Sequence, residues 1–321
     1  MQKKSLEYIK KCDQCQRFAP NIHQPGGVLN PLSSPWSFPQ WGLDIVGPFP
    51  KAVGNKRYLL VGTDYFTKWV EAKPLANIRD VDAKKFIWRN IVTQFRVPRT
   101  LILDNGLQFD SKAFKRYCCE LRVANRYSTP AYPQGNGQVE AINKVIVNGL
   151  KKILNDAKGR WVEELPHVLW TYWTTPRRST GETPFPVTYK AKAIIPLETN
   201  FPMLKTNSFT LSGNDELLGE SLDLIEERRE KAIIQLAYYH QKLKQGYDAN
   251  VKLRPLTPGD LMLRKVVGAT KNPSSGKLRP NWEGPFRITS VVGIGAYYLE
   301  DLNEKAVPHP WNVNNLKRYY Y

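Results

Sequence analysis

Three carboxylates in this sequence have the residue types and spacing to do chemistry together: Asp44, Asp104 and Glu140. Asp44 lies inside the apolar, strand-like run Trp41-Gly42-Leu43-Asp44-Ile45-Val46-Gly47. Asp104 closes the run Leu101-Ile102-Leu103 and opens Asp104-Asn105-Gly106. Glu140 follows the loop Tyr132-Pro133-Gln134-Gly135-Asn136-Gly137-Gln138, and 35 residues separate it from Asp104. Mg²⁺ and Mn²⁺ prefer hard oxygen ligands. Three carboxylates can hold two such ions, one activating the attacking oxygen of a phosphoryl transfer and the other stabilising the leaving oxygen. Taken singly, each signal has a plainer reading. Asp44 could be a surface acid on an edge strand, Asp104-Asn105-Gly106 an ordinary turn, and Glu140 an acid complementing a helix N-terminus. The apolar neighbours of Asp44 argue against the first, because a buried unpaired carboxylate is costly. Order, spacing and context together favour the joint site.

The elements that must position these groups follow from hydrophobic periodicity. Strands are expected at 40–46, 57–64 and 68–73 from their β-branched and aromatic content. A helix is expected over 80–95, with Val81, Lys84, Lys85, Trp88, Ile91 and Val92 setting its period. A short buried strand follows at 99–104, then a helix opened by Ser111 as N-cap, then a strand at 122–128. Strands followed by alternating helix and strand argue for an α/β fold, a mixed sheet with helices against it. At about 100° per residue, the helix from Gln138 gathers Ile142, Val145, Ile146, Gly149, Leu150 and Ile153 on one side. Glu140, Lys144, Val147 and Lys151 fall on the other. Residues 215–245 read as a long helix with a stripe of Leu218, Leu222, Ile225, Ala232, Leu236, Tyr239 and Leu243, a spacer or a dimerising helix. The short strands and frequent turns of 251–321 suggest a small all-β barrel.

Composition narrows the partner. The 321 residues carry a net charge of +18. Residues 41–210 hold +12 of it and 251–321 hold +6, while 211–250 carry −3. Two basic blocks on either side of an acidic helix suit a polyanion, since each neutralised phosphate releases counterions. No apolar run approaches the length of a transmembrane helix, no signal-peptide core follows Met1, and no membrane partner is expected. Four cysteines argue against a secreted disulfide scaffold. Cys12-x-x-Cys15 has the spacing of half a zinc site, but no His or Cys precedes it and His23 lies on the wrong side, so no zinc is expected here. The neighbouring Cys118-Cys119 reads as part of a helix. Gln24-Pro25-Gly26-Gly27 and the prolines after it read as a linker.

Several runs match a known family in order: Trp41–Pro48, Thr63-Asp64-Tyr65-Phe66-Thr67-Lys68-Trp69, Asp104-Asn105-Gly106-x-x-Phe109, the loop through Gln138-x-Glu140-x-x-Asn143, and Gly181-Glu182-Thr183-Pro184-Phe185. Over nearly its whole length the chain resembles the integrase of a gypsy-type long-terminal-repeat retrotransposon, closest to plant elements. The resemblance implies an RNase H-like core with a mixed five-stranded sheet, then a long helix and a C-terminal small β-barrel that binds DNA. The expected division is a remnant of a zinc-binding module at 1–22, a linker at 23–39, the catalytic core at 40–200, a helical connector at 211–250 and the barrel at 255–320. The family's acidic triad falls on Asp44, Asp104 and Glu140, which would also be the ligands of two Mg²⁺ or Mn²⁺ ions. DNA contacts would fall on Asn136, Gln138, Asn143, Lys144 and Lys151. The implied reactions are 3′-end processing and strand transfer, with element-end DNA and target DNA as partners, a homo-oligomer as the active form and the nucleus as the place of action. Two departures stand out: the family's His-His pair before Cys12 is missing, which suggests N-terminal truncation, and Trp173 stands where the family has Arg. Two other readings compete, a catalytically inactive nucleic-acid-binding remnant and a nuclease on RNA–DNA hybrids; the flanking runs and the barrel argue against the second.

Overall fold

The computed structural model describes residues 8, 11–20, 22, 34, 36–104, 106–127, 137–154, 158–189, 211–251, 254, 256–266, 280–293 and 295–321. Asn136, His23, and most of the expected linker lie outside the described residues. The chain forms two compact units, one of residues 32–127 and 136–242, the other of 1–31, 128–135 and 243–321.

The first unit is built on a five-stranded sheet of β1 (Gln40–Val46), β2 (Tyr58–Asp64), β3 (Val70–Leu75), β4 (Thr100–Leu103) and β5 (Ala124–Tyr127). Their spatial order is β3-β2-β1-β4-β5. The β1–β2 and β2–β3 pairs are antiparallel, while β1–β4 and β4–β5 are parallel. This is the mixed sheet expected from the strand and helix order. Side chains alternate across each strand. Trp41 and Leu43 of β1, with Leu101 and Leu103 of β4, enter a core that also holds Ala83, Phe86, Ile87, Phe114 and Cys118. Leu59 and Val61 of β2 face the other side, against Ile146, Leu150, Trp161 and Leu165.

The helices come in two layers. On the first face lie α2 (Asp80–Phe86), α3 (Leu107–Asp110) and α4 (Lys112–Glu120). Helix α2 runs on into a π-helical stretch, Ile87–Val92. Its buried residues are Ala83, Phe86, Ile87 and Ile91, while Val81 and Trp88 are 43% and 49% exposed. The expected stripe through Val81 and Trp88 is therefore not the buried one; the wider π turn changes the period midway. The Ser111 hydroxyl caps α4 by accepting from the Phe114 N–H at 3.1 Å. On the second face lie α5 (Gly137–Leu154) and α6 (Trp161–Thr174), with α7 (Pro184–Tyr189) after them. Trp173 of α6 stacks on Trp69 with ring centroids 4.4 Å apart, and its indole N–H donates to the Val70 carbonyl at 3.0 Å. Its large flat ring clamps α6 to the β2–β3 hairpin, a packing role.

The buried stripe of α5 is Val139, Asn143, Ile146, Leu150 and Leu154. Val145 and Ile153, expected inside, are each 48% exposed. The stripe is rotated by about 70° from the one that apolar residues alone define. Close contact with β1 explains the rotation. A Cβ on Gly42 would stand 2.3 Å from Val139 Cγ2 and 2.9 Å from Tyr65 Cε2. Gly42 thus lets the first turn of α5 rest on the sheet. Gly149 does the same between α5 and α6, where an added Cβ would come within 2.8 Å of Val168 Cγ1.

Helix α8 spans Leu211–Asp248. Ala232, Leu236 and His240 are buried on it, Leu236 packing with Phe66 and Val187, whereas Leu243 is 43% exposed. Leu218, Leu222 and Ile225 of the expected stripe have side chains outside the described set.

The second unit holds a five-stranded antiparallel sheet: β6 (Leu261–Lys265), β7 (Trp282–Gly293), β8 (Ala296–Glu300), β9 (Trp311–Asn312) and β10 (Leu316–Arg318), in the order β10-β6-β7-β8-β9. Met262, Ile288, Leu299, Val313 and Leu316 form its core. The short helix α1 (Asp13–Arg17) packs on this sheet. Its Gln16 side chain accepts from the Tyr320 N–H at 2.9 Å and donates to the Tyr320 carbonyl at 2.6 Å. The segment around Cys12 and Cys15 is thereby tied to the all-β unit, and both thiols are free.

The contact at Gly42 makes a direct prediction. Gly42→Ala forces α5 away from β1 and costs about 1–3 kcal/mol of stability by overpacking. Thermal or denaturant unfolding of the variant measures it, and an unchanged midpoint would refute the close approach.

Candidate active site

The site arises from strand alternation and register. Gly42 and Asp44 share the α5 face of β1, opposite Trp41 and Leu43. In the parallel β1–β4 pair, Gly42 is level with Ile102 and Leu43 with Leu103. One step further along that register stand Asp44 and Asp104, on strands about 4.8 Å apart. Ile102, two residues before Asp104, packs with Tyr65 and Val139. The same Val139 brings the first turn of α5 down on Gly42, and Glu140 is the next residue. The middle strand β1, the end of β4 and the start of α5 therefore bring the three carboxylates toward one another.

Electrostatics support that convergence. The Asp44 carboxyl is pushed up to about 6, first by burial, then by the nearby Asp104 charge, with Glu140 adding to it. Burial also lifts Asp104, against a hydrogen bond from the Gly106 N–H at 3.1 Å. Two donors hold Asp44 in place: the Ile45 N–H at 2.8 Å and the Asn143 side-chain amide at 2.7 Å. Asn143 is 5% exposed. Its placement makes it an orienting group for Asp44; a phosphate contact would compete with that bond. It lies one helical turn after Glu140, so α5 supplies both a carboxylate and the donor that aims another.

Lys144 and Lys151 line the same groove as Asp44, Glu140, Asn143 and Asn148, a cleft of about 370 Å³. Both lysines belong to the exposed side of α5. Gln138 sits elsewhere: its side-chain oxygen accepts from the Lys68 ammonium at 2.6 Å. The structure thus groups Asp44, Asp104, Glu140, Lys144 and Lys151, turns Asn143 inward and ties Gln138 to a hairpin. Asn143's role was not legible as an orienting one, because its burial depends on how α5 is rotated. The Lys68 contact had a sequence signal, a charged pair inside the aromatic run Asp64-Tyr65-Phe66-Thr67-Lys68-Trp69.

The donor set suits a hard divalent cation. All three side chains offer oxygen, and their mutual repulsion at Asp44 is the cost a bound cation removes. Their spacing is looser than a closed ligand set: among the described residues, no three His, Cys, Asp or Glu side chains stand close enough to hold one ion.

Parts of the chain are similar to known proteins. The integrase core domain family matches residues 37–133, and a domain family of unknown function matches residues 256–320. The Tf2-3 and Tf2-4 transposon polyproteins of Schizosaccharomyces pombe are each 25% identical over 327 residues, covering 99% of this chain. The chain spans 23% of the length of those polyproteins. Among solved structures, a chain of the simian T-cell lymphotropic virus intasome in complex with the PP2A regulatory subunit B56 gamma aligns with a TM-score of 0.57. That alignment covers 100% of this chain and 92% of the other at 17% identity, a likeness of fold.

A pH-dependent stability follows from Asp44. Its folded carboxyl titrates near 6, above the ordinary 3.8, so the ionised form costs stability. The cost is absent below about pH 4 and grows as pH rises through 6. Without added divalent metal, Asp44→Asn is expected to be more stable than wild type at pH 7.5 by up to about 2 kcal/mol, after allowance for partial exposure. That advantage should vanish near pH 4 in melting curves; a variant less stable than wild type at pH 7.5 would contradict it.

Proposed function

We propose that this chain is an integrase-type polynucleotidyl transferase of a gypsy-type retrotransposon, processing DNA 3′ ends and joining them to target DNA in the nucleus. One observation carries the reading: Asp44 within β1 and Asp104 just past the end of β4 follow the last paired residues of two parallel strands and act on each other electrostatically, with Glu140 in the helical turn that rests on those strands. The match of residues 37–133 to the integrase core domain supports it. So does the likeness to the transposon polyproteins along nearly the whole chain.

Asp44, Asp104 and Glu140 would hold Mg²⁺ or Mn²⁺, which when bound would activate the attacking oxygen and stabilise the leaving one. The chain's own groups do the rest. Asn143 keeps one Asp44 oxygen aimed by donating to it. Lys144 and Lys151, on the wall of the same groove, neutralise phosphate and fix the register of the duplex. In end processing the attacking oxygen is water; in joining it is the freed 3′-hydroxyl. Both are in-line displacements at phosphorus, so one site serves both. The working form would be a homo-oligomer holding two DNA ends. A second reading, a DNA-binding remnant without catalysis, rests on the loose spacing of the carboxylates.

A strand-transfer assay with Mn²⁺ and a panel of labelled duplex ends separates the two. Wild type is expected to give joined products, while Asp44→Asn, Asp104→Asn and Glu140→Gln each lose at least about 100-fold and keep DNA binding. Transfer surviving in any one variant removes that residue from the site. DNA binding with no product from wild type favours the remnant.

Salt dependence tests the groove lysines. Replacing both Lys144 and Lys151 by Ala should lower the slope of log Kd against log salt by about 2. An unchanged slope places the phosphates elsewhere.

A further inference from the structure

The turn between β2 and β3 buries two opposite charges, Asp64 and Lys68, that the reading above does not use. Asp64 is fully buried, and its carboxylate accepts from the Phe38 N–H at 2.9 Å and from the Thr67 N–H and hydroxyl at 2.8 Å each. Lys68 is 5% exposed and sits in a left-handed backbone conformation at φ 60°, unusual for a side chain of this size. The Tyr172 hydroxyl donates to its carbonyl at 3.0 Å, so α6 holds the turn from outside. The Lys68 ammonium donates to the Tyr65 carbonyl and, across 70 positions of sequence, to the Gln138 side-chain oxygen, each at 2.6 Å. Burial, and after it the same ammonium, lowers the proton affinity of the His240 ring of α8 and holds it neutral.

The position of this contact gives it meaning. Gln138 and Val139 are consecutive residues in the first turn of α5, and Glu140 follows them. Tyr65 packs on Val139 while Lys68 bonds Gln138, so one hairpin turn grips both residues before the carboxylate. A lysine is costly to bury, and burial here lowers its proton affinity while Asp64 raises it. Packing alone would be served by an apolar residue; an ammonium adds directional bonds, one within the turn and one to Gln138.

We propose that Lys68 is a positioning residue, whose ammonium latches Gln138 and so sets where the first turn of α5 presents Glu140. The catalytic consequence rests on the function proposed above; the latch itself does not. Lys68→Met removes the ammonium but also its favourable field on the buried Asp64. Gln138→Ala removes the acceptor and leaves both buried charges in place, so it is the cleaner variant.

Hydrogen exchange on the full chain reads the latch without any activity. Amides of residues 138–145 should exchange about tenfold faster in Gln138→Ala and in Lys68→Met, with residues 147–154 unchanged. The double variant should be no faster than the singles, and the melting point of Gln138→Ala should stay near that of wild type. Lys68→Arg, which keeps a donor, should recover part of the protection. Wild-type exchange in either single variant, or additive effects in the double, overturns the proposal. In strand transfer, the Gln138→Ala variant should lose about 10- to 100-fold in kcat with KM for DNA within about twofold, as a misplaced group does. A KM effect with unchanged kcat overturns it too, by making Gln138 a DNA contact. Faster exchange in a chain whose wild type transfers no strands keeps the latch and sinks the function; active wild type with unchanged exchange does the reverse.

Discussion

The approach of Val139 to Gly42 is the contact on which the site depends. A side chain at position 42 would collide with α5, so the helix can rest its first turn on β1 only because that residue is glycine. The contact does two things at once. It turns Asn143 inward to reach Asp44, and it brings Glu140 to the end of the strands that carry Asp44 and Asp104. The parallel register of β1 and β4 supplies the rest, since levelling Gly42 with Ile102 also levels the two aspartates. Gly149 repeats the device against α6, so α5 is seated at both ends by missing side chains.

Burial raises the carboxyls of both Asp44 and Asp64 to about 6, but the first unit surrounds them differently. Asp64 has three hydrogen-bond donors and the Lys68 ammonium nearby, a set of partners that holds a turn. Asp44 has two donors and two like charges, Asp104 before Glu140. The first arrangement builds structure. The second spends stability to keep acidic oxygens together, as groups awaiting a cation or a phosphate do. Lys68 connects the two, because its ammonium reaches from the turn that holds Asp64 to the helix turn that carries Glu140. The aromatic clamp of Trp69 and Trp173 secures the same hairpin from the α6 side, which keeps the latch's base still.

Much of this was legible in the residues. β-Branched and aromatic content placed the strands of the first sheet to within a few positions, because that composition is written locally. Ser111 announced a helix start, since a cap is a contact between near neighbours. The carboxylates could be chosen by spacing and apolar context. Where the reading of α5 went astray, the cause was a partner distant in sequence: its stripe turned because Gly42 and Val168 decide which side is pressed closest. For α2 the cause is local, the π turn at Ile87–Val92.

By itself the sequence determined the order of elements, the basic character that suits a polyanion, and which acids are candidates for a shared site, because these depend on residue type and short-range period. Only the tertiary structure decided that Asn143 aims Asp44, that Gln138 answers to Lys68, and that residues 11–20 belong with the all-β unit. Each of those facts is a hydrogen bond between residues 70 or more positions apart. Nothing local specifies such a bond: it exists once register and close packing have brought its two ends together.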